Sequence, residues 1–144
     1  MPDQLNSISP LDGRYNKDAA VLSHYFSESA LMRYRMQIEI EYLIALSNEN
    51  KITALPPMPK ALQSTLRKLY EKFDSRSARR IKKIETQTNH DVKAIEEYIS
   101  EKLQKINLSK FIPWVHFGLT SEDVNNIAYS LMWKDGIKYV YLPK

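Results

Sequence analysis

Two apolar stripes with helical spacing, separated by one short polar break, constrain the fold of this chain more than any other feature. The stripe before the break contains Ala78, Ile81 and Ile84, and the stripe after it recurs every three or four residues from Val92 to Ile106. Such spacing places the apolar side chains on one face of each helix. The chain has only three glycines, so few positions weaken a long helix. The pattern predicts an all-α protein.

The break itself, residues 86–92, gathers polar side chains where the second helix begins. Asn89 and Asp91 are good N-cap residues, so free backbone N–H groups and the positive end of the helix dipole are expected there. His90 is the side chain in this stretch whose residue type can both accept and donate a proton near neutral pH. Such a terminus suits a site that holds a carboxylate or phosphate and moves a proton. The alternative is a surface cap without function, because capping alone explains these residue types.

The composition is that of one ordinary globular domain. Of the 144 residues, 43% are hydrophobic and 26% are charged, which allows a sizeable core and argues against disorder. The absence of cysteine excludes disulfides and thiolate metal sites, and no His/Asp spacing indicates a metal site. The sequence shows neither a signal peptide nor a membrane-spanning run. We therefore expect a cytoplasmic protein that binds no membrane.

The charge distribution is mildly basic, with a formal net charge of +4 from 21 basic and 17 acidic residues. The only dense basic cluster, between Arg76 and Lys83, lies opposite the apolar positions of its helix. Such a cluster is typical of a solvated helix face, and it lacks the interleaved aromatic residues of a single-strand binder. We expect no nucleic-acid partner, although a basic nucleic-acid binder is kept as one alternative.

The first third of the chain predicts three segments. Residues 1–16 form an irregular leader with an Asp-Gly turn signal. A short helix over 18–25 is expected to point Val21, Leu22 and Tyr25 inward. A long helix over 28–48, capped by Ser27, is apolar on more than one side and therefore buried on more than one side. Paired charges with a structural role along its remaining strip are predicted for four residues: Arg33, Arg35, Glu39 and Glu41.

The rest of the chain predicts further helices with one irregular crossing. A proline-rich connector over 55–59 precedes a helix with a core stripe over 62–73, and Asp74 or Ser75 caps the basic helix. Residues 107–119 are apolar but broken by Pro and Gly, which predicts a buried crossing in which His116 is structural. A capping box begins at Thr120 and opens a helix that is expected to continue to Leu142.

Three segments carry a resemblance to a known family. Residues 9–15 (SPLDGRY), 84–96 (IETQTNHDVKAIE) and 116–126 (HFGLTSEDVNN) closely resemble the adenylosuccinate lyase family of the fumarase/aspartase superfamily. The match spans all 144 residues in order and at the expected separations. The resemblance implies the N-terminal helical domain of that fold, followed by the start of the long central-bundle helices.

The resemblance also implies a chemistry, a C–N lyase reaction by β-elimination. The family cleaves adenylosuccinate to AMP and fumarate, and it cleaves the succinyl-aminoimidazole-carboxamide ribotide of purine biosynthesis. A base takes a proton from the carbon beside a carboxylate, and an acid protonates the departing nitrogen. The family uses no metal or organic cofactor and forms homotetramers, with each active site built from three subunits.

By resemblance, seven residues are expected to bind substrate: Arg14, Tyr15, Asn89, His90, Asp91, Thr120 and Ser121. The first two are expected near the nucleotide phosphate, and the last two, with the N–H groups of their helix, near a succinyl carboxylate. His90 is expected near the succinyl and phosphate groups, in a role that supports proton transfer. The residue types alone identify the same two helix termini as anion sites.

Two motifs of the family have no counterpart here: the second active-site histidine and the flexible loop with the serine taken as general base. The principal acid and base are therefore expected beyond residue 144. Residues 1–111 are expected to form the N-terminal helical domain and residues 112–144 the truncated start of the central bundle. The chain alone is expected to be inactive. The alternative is a non-catalytic helical interaction module.

Overall fold

The structure is a computed structural model that describes residues 4–143, and these residues form helices and turns. The α-helices within them are α1 (Asn16–Ala19), α2 (Ser23–Phe26), α3 (Glu28–Ser47), α4 (Lys60–Glu71), α5 (Ser75–Thr88), α6 (Asp91–Lys105) and α7 (Ser121–Gly136). Short 3-10 turns lie at Gln4–Asn6, Ala20–Leu22 and Ser109–Trp114, and a π-helix follows at Ile137–Tyr141. The all-α prediction is confirmed, while residues 1–3 and 144 of the predicted leader and domains lie outside the described range.

Helix α3 is the centre of the fold. It begins at the predicted cap, where the Ser27 side chain accepts a hydrogen bond from the Ala30 N–H at 3.1 Å. Because α3 is apolar around most of its circumference, it packs against α4, α6 and α7 on different sides. The prediction that this helix is buried on more than one side is confirmed.

Two apolar clusters flank α3. The larger joins α3 to α4, α5, α6 and the 3-10 turn over 109–114, and its fully buried members include Ile40, Leu66, Ile95 and Phe111. The smaller joins α3 to α7 and contains Tyr34, Ile38, Val124, Ala128 and Met132. Burial of large apolar side chains of this kind contributes roughly 1.5–3 kcal/mol each. α3 therefore fixes α6 and α7 relative to one another.

The prediction of one short helix over 18–25 is wrong in detail. The chain forms α1, a 3-10 turn and α2 in succession, and the Ser23 hydroxyl donates to the Ala20 carbonyl at 2.7 Å within this tight turn. Tightening the helix rotates the following side chains away from an α-helical stripe. Val21 consequently points outward and is 49% exposed.

The prediction that the charged residues of α3 pair along one strip is also wrong, although three of them do make structural contacts. Arg35 and Glu39 are 5% and 1% exposed, because α3 packs on several sides and leaves no continuous solvent strip. Glu41 instead receives two hydrogen bonds from Arg67 of α4, at 2.7 and 2.8 Å. The charged residues of α3 thus make their ion pairs with other elements.

The last helix changes geometry before the predicted end at Leu142. α7 is α-helical to Gly136 and continues as a π-helix over Ile137–Tyr141. At Gly136 the Phe26 ring packs so closely that an added Cβ would lie 2.7 Å from its Cε2 atom. No helix within residues 4–143 has the length and apolar character needed to cross a bilayer.

Candidate active site

The junction between α5 and α6 lies where the polar break predicted it, but a different residue caps α6. His90 is the N-cap, and its Nδ1 accepts the Lys93 N–H at 3.1 Å. Asn89 closes α5 in the left-handed conformation, with φ 51°. Asp91 is already the first residue of α6. The prediction that Asn89 or Asp91 caps this helix is therefore wrong, since an imidazole nitrogen takes the acceptor role.

The capping bond limits what His90 can do. A neutral ring that accepts at Nδ1 carries its proton on Nε2, so Nε2–H is the group that remains to donate. The side chain is 50% exposed, and the Thr88 hydroxyl donates to the His90 carbonyl at 3.1 Å, which steadies the turn. His90 is consequently held by its backbone and one nitrogen, with the other nitrogen directed away from the helix cap.

A small surface cleft of about 420 Å³ lies at this junction. Its lining consists of six residues: Lys82, Glu85, Thr86, Asn89, His90 and Asp91. Lys82 is already paired, at 2.7 Å with Glu28 and at 2.9 Å with Glu85. The cleft is therefore not strongly cationic by itself. Attraction for an anion there rests on the N-terminus of α6 and on the His90 Nε2–H group.

Asp91 binds Arg35 of α3 while it remains beside the cap, with its Oδ1 3.7 Å from the His90 Nδ1. Its Oδ2 lies 2.7 Å from Nη2 of Arg35, and its Oδ1 accepts the Val92 N–H at 2.8 Å. Burial tends to raise the pKa of this carboxyl, but the Val92 N–H and the Arg35 guanidinium outweigh it and hold the pKa below its usual value. Asp91 is thus an ionised carboxylate that anchors the α6 terminus to α3.

Arg35 also reaches the first turns of α7. Its Nε donates to the Asn125 Oδ1 at 2.9 Å, while its side chain is only 7% exposed. One guanidinium therefore links the start of α6 to the second turn of α7, using a different nitrogen of its planar fork for each. Asparagine is a poor helix former, and at this position its side chain makes two contacts within the chain, since the Asn125 Nδ2 also donates to the Glu122 Oε1 at 3.2 Å.

The linking role of Arg35 was not predicted from the sequence, although one signal for it was present. A helix that is apolar on several sides leaves little solvent for its charged residues, so an arginine flanked by Tyr34 and Met36 must find internal partners. The sequence did not identify those partners, because Asp91 and Asn125 are distant along the chain.

The α7 terminus has the predicted capping box. The Thr120 side chain accepts the Asp123 N–H at 3.4 Å, and the Asp123 Oδ2 accepts the Thr120 N–H at 2.7 Å. The same carboxylate oxygen accepts the Thr120 hydroxyl at 2.9 Å. These bonds from Thr120 lower the pKa of Asp123, so the box is closed by an ionised carboxylate. Within residues 4–143 the Ser121 hydroxyl has no hydrogen-bond partner, which leaves it available to a ligand.

Arg14 and Tyr15 lie on the surface in the turn before α1. The Arg14 guanidinium lies 4.7 Å from the centre of the Tyr15 ring, and Tyr15 is 45% exposed. Among the described residues, no hydrogen bond or ion pair joins either side chain to the α5–α6 junction or to the start of α7. The structure therefore links two of the three predicted segments and leaves the first one apart.

Comparison with known proteins places the chain in a family. A sequence model described as "Lyase" matches residues 13–144. The adenylosuccinate lyase of Legionella pneumophila (strain Corby) is 43% identical over 140 residues, 96% of this chain. That of Dictyostelium discoideum is 43% identical over 145 residues, 99% of this chain, and that of Escherichia coli (strain K12) is 38% identical over 140 residues, 96% of this chain.

These similarities extend along nearly the whole chain but along less than a third of the relatives. In each of the three, the matched segment is 31% of the relative's length. They favour the lyase interpretation over the non-catalytic interaction module. Since the family model covers all but the first residues, the chain belongs to this lyase family.

Proposed function

We propose that residues 1–144 form the part of an adenylosuccinate lyase that binds the two ends of the substrate. The proposed reaction is the β-elimination of fumarate from adenylosuccinate, giving AMP, and from the succinyl-aminoimidazole-carboxamide ribotide. Support comes from the named relatives. The observation that carries the proposal is the single buried guanidinium of Arg35, which links the α6 and α7 N-termini through Asp91 and Asn125.

The two helix termini suit the charges of this substrate. Its succinyl group carries carboxylates, which a helix N-terminus attracts through free N–H groups and the local dipole. In our proposal the α7 terminus holds one succinyl carboxylate through the Ser121 hydroxyl and the N–H groups of its first turn, while Thr120, whose own N–H donates to Asp123, keeps that terminus in place. Because the Thr120 hydroxyl already donates to Asp123, Ser121 is the hydroxyl that contributes most directly.

His90 takes a supporting role in the proposed proton transfer. Its Nε2–H can donate to an oxygen of the substrate while Nδ1 remains committed to the α6 cap. Such a donor stabilises the negative charge that develops when the carbon beside the carboxylate loses its proton. Asn89 and Asp91 set the position of His90 from either side, and the principal acid and base come from the remainder of the enzyme.

Arg14 and Tyr15 are proposed to bind the nucleotide phosphate. The arginine is exposed and has no ion-pair partner among the described residues, so its fork remains available for a phosphate. The assembly proposed for the whole enzyme is a cytoplasmic homotetramer. Residues 1–111 are proposed as its N-terminal domain and residues 112–144 as the start of its helical bundle.

A chimera tests the proposal directly. Residues 1–144 replace the segment that they match in the Escherichia coli adenylosuccinate lyase, and fumarate release from adenylosuccinate is followed by absorbance. We expect the chimera to cleave the substrate and the separate 144-residue chain not to do so. A chimera with the helical content and solution mass of the parent enzyme but without cleavage would overturn the proposal.

The matched control for this experiment is a second chimera with Arg79→Ala. Arg79 is exposed on α5, so its replacement should leave cleavage unchanged. Chimeras with Arg14→Ala and with Ser121→Ala should bind the substrate more weakly, since each loses a proposed contact.

A further inference from the structure

Glu39 is a buried carboxylate that the proposed function has not used. It lies on α3, one helical turn after Arg35, and its side chain is 0% exposed. Its Oε1 lies 2.5 Å from Nδ1 of His116, while its Oε2 has no hydrogen-bond partner within the described residues. Burial raises the pKa of this carboxyl, and the contact with His116 opposes that rise, so His116 compensates for the desolvation of Glu39. The contact with His116 is the hydrogen bond that this carboxyl makes among the described residues, and it therefore sets how Glu39 and the His116 ring face each other.

His116 lies in a turn that leads directly into α7. Its backbone is left-handed, with φ 59°, a conformation that is strained for a residue other than glycine. Its ring is 15% exposed, and Nε2 lies 3.9 Å from Oε1 of Glu96 on α6. The strained backbone and the enclosed ring show that surrounding contacts hold this residue in place.

A second residue of α3 holds the same turn. The Tyr42 hydroxyl donates to the Phe117 carbonyl at 2.9 Å. Gly118 follows with φ 73°, and Leu119 N–H bonds back to the His116 carbonyl at 3.2 Å. Two residues of α3 therefore hold this turn: Glu39 contacts the His116 side chain, and Tyr42 donates to the Phe117 carbonyl. The turn lies immediately before the capping box that begins α7.

We propose that Glu39 is a positioning residue that acts through His116 to set the orientation of the α7 N-terminus, and with it the carboxylate site at Thr120 and Ser121. This inference rests on the proposed function of that terminus. An apolar contact of similar volume would fill the same space, but only a directional hydrogen bond fixes the rotation of the His116 ring and hence the exit of the chain toward Thr120.

Three substitutions separate positioning from simple packing. Glu39→Leu keeps much of the volume and removes the acceptor, whereas Glu39→Gln keeps an acceptor oxygen. His116→Gly relieves the left-handed strain and removes the link at the same time, so it cuts the connection without forcing the turn to change. Glu41→Gln, on the same helix but facing α4, is the matched control.

The first readout is structural and uses the full 144-residue chain. We expect Glu39→Leu and His116→Gly to displace the amide resonances of Thr120 and Ser121 in heteronuclear NMR spectra, and Glu39→Gln to leave them close to the original. If Glu39→Leu and His116→Gly both leave these resonances in place, the inference is wrong. If one of these two variants fails to fold, the comparison is made with the other.

The second readout is kinetic and uses the chimera. We expect Glu39→Leu and His116→Gly to raise the KM for adenylosuccinate by about 10- to 100-fold, with a much smaller change in kcat, as for other supporting residues behind a binding group. Glu39→Gln should restore most of the affinity, and Glu41→Gln should not change it. If instead kcat falls as much as KM rises, and both changes follow the loss of stability, Glu39 has only a structural role.

The two readouts keep this inference separate from the proposed function. If the unsubstituted chimera fails to cleave adenylosuccinate, the proposed function fails, whatever the amide resonances show. If the chimera cleaves but Glu39→Leu matches it in both KM and the Thr120 and Ser121 resonances, the positioning role alone is overturned.

Discussion

The Arg35 guanidinium lies 2.7 Å from the Asp91 carboxylate, and through its Nε it also holds Asn125 at 2.9 Å. The two partners differ in environment, since the Arg35 side chain is 7% exposed and that of Asp91 is 49% exposed. Loss of a partner would consequently leave the buried guanidinium with little solvent to replace it, whereas the half-exposed Asp91 carboxylate can still be solvated by water. This asymmetry determines what each substitution is expected to do.

Arg35→Lys should lower the free energy of unfolding by about 1–3 kcal/mol, because a single ammonium cannot reach both partners in the geometry of the planar fork. Urea denaturation of the 144-residue chain measures the change. The control is Arg79→Lys on the exposed face of α5, which should change stability by less than about 0.5 kcal/mol. If the two substitutions lower the free energy of unfolding equally, Arg35 does not stabilise the fold through its two partners.

Asp91→Asn should change the pH dependence of stability. The folded-state pKa of Asp91 lies below the usual value of 3.8, since the Val92 N–H and Arg35 outweigh the effect of burial. The ionised carboxylate therefore contributes stability above pH 3.8, and this contribution is lost as the pH falls through the folded-state pKa. The difference in unfolding free energy between the original chain and Asp91→Asn should be largest above pH 3.8 and shrink in more acidic solution.

A double-mutant cycle supplies the control for Asp91. In an Arg35→Met background the partner charge is absent, so Asp91→Asn should have a smaller effect at neutral pH than it has in the original chain. If the effect of Asp91→Asn is the same in both backgrounds, the ion pair is not its cause.

His90→Asn should separate the capping role of this residue from its proposed role in proton transfer. Asparagine is a good N-cap, so the free energy of unfolding should stay within about 0.5 kcal/mol. The kcat of the chimera should fall by about 100-fold or more, because the Nε2–H donor is gone. Denaturation and steady-state kinetics are measured on the same preparation, and an unchanged kcat would leave His90 as a cap only.

Asn89 should tolerate glycine better than alanine. Its φ of 51° is left-handed, which suits glycine and asparagine but costs alanine roughly 1–2 kcal/mol. Asn89→Ala should therefore lower the free energy of unfolding by about 1 kcal/mol or more, while Asn89→Gly should stay within about 0.5 kcal/mol. Thermal and urea denaturation check the order, and equal stability of the two variants would contradict it.

The helices and most caps were predictable because they depend on neighbours in the sequence. Ser27, Asp74 and Thr120 each accept an N–H three residues ahead, so their residue type and position were sufficient. His90 makes the same kind of bond but is not a common N-cap, and the more usual capping residues on either side of it obscured its role.

The candidate site was only partly predictable, because its interior contacts join residues far apart in the chain. Apolar periodicity showed that α3 is buried, but it does not say which later side chain meets Arg35 or Glu39. The resemblance to a family pointed to the junction before α6 and to the α7 terminus. The residue that links them, and the carboxylate that holds His116, became visible only in three dimensions.

The contacts of α3 also set an order of events during synthesis of the protein. Its side chains Glu39, Arg35 and Tyr34 find partners 77, 90 and 101 residues further along, at His116, Asn125 and Asp135. A ribosome adding roughly 5–20 residues per second completes α3 several seconds before those partners emerge. During that interval the nascent helix carries a guanidinium and a carboxylate that cannot be buried without cost. The central helix of the fold is therefore translated early but must complete its packing late.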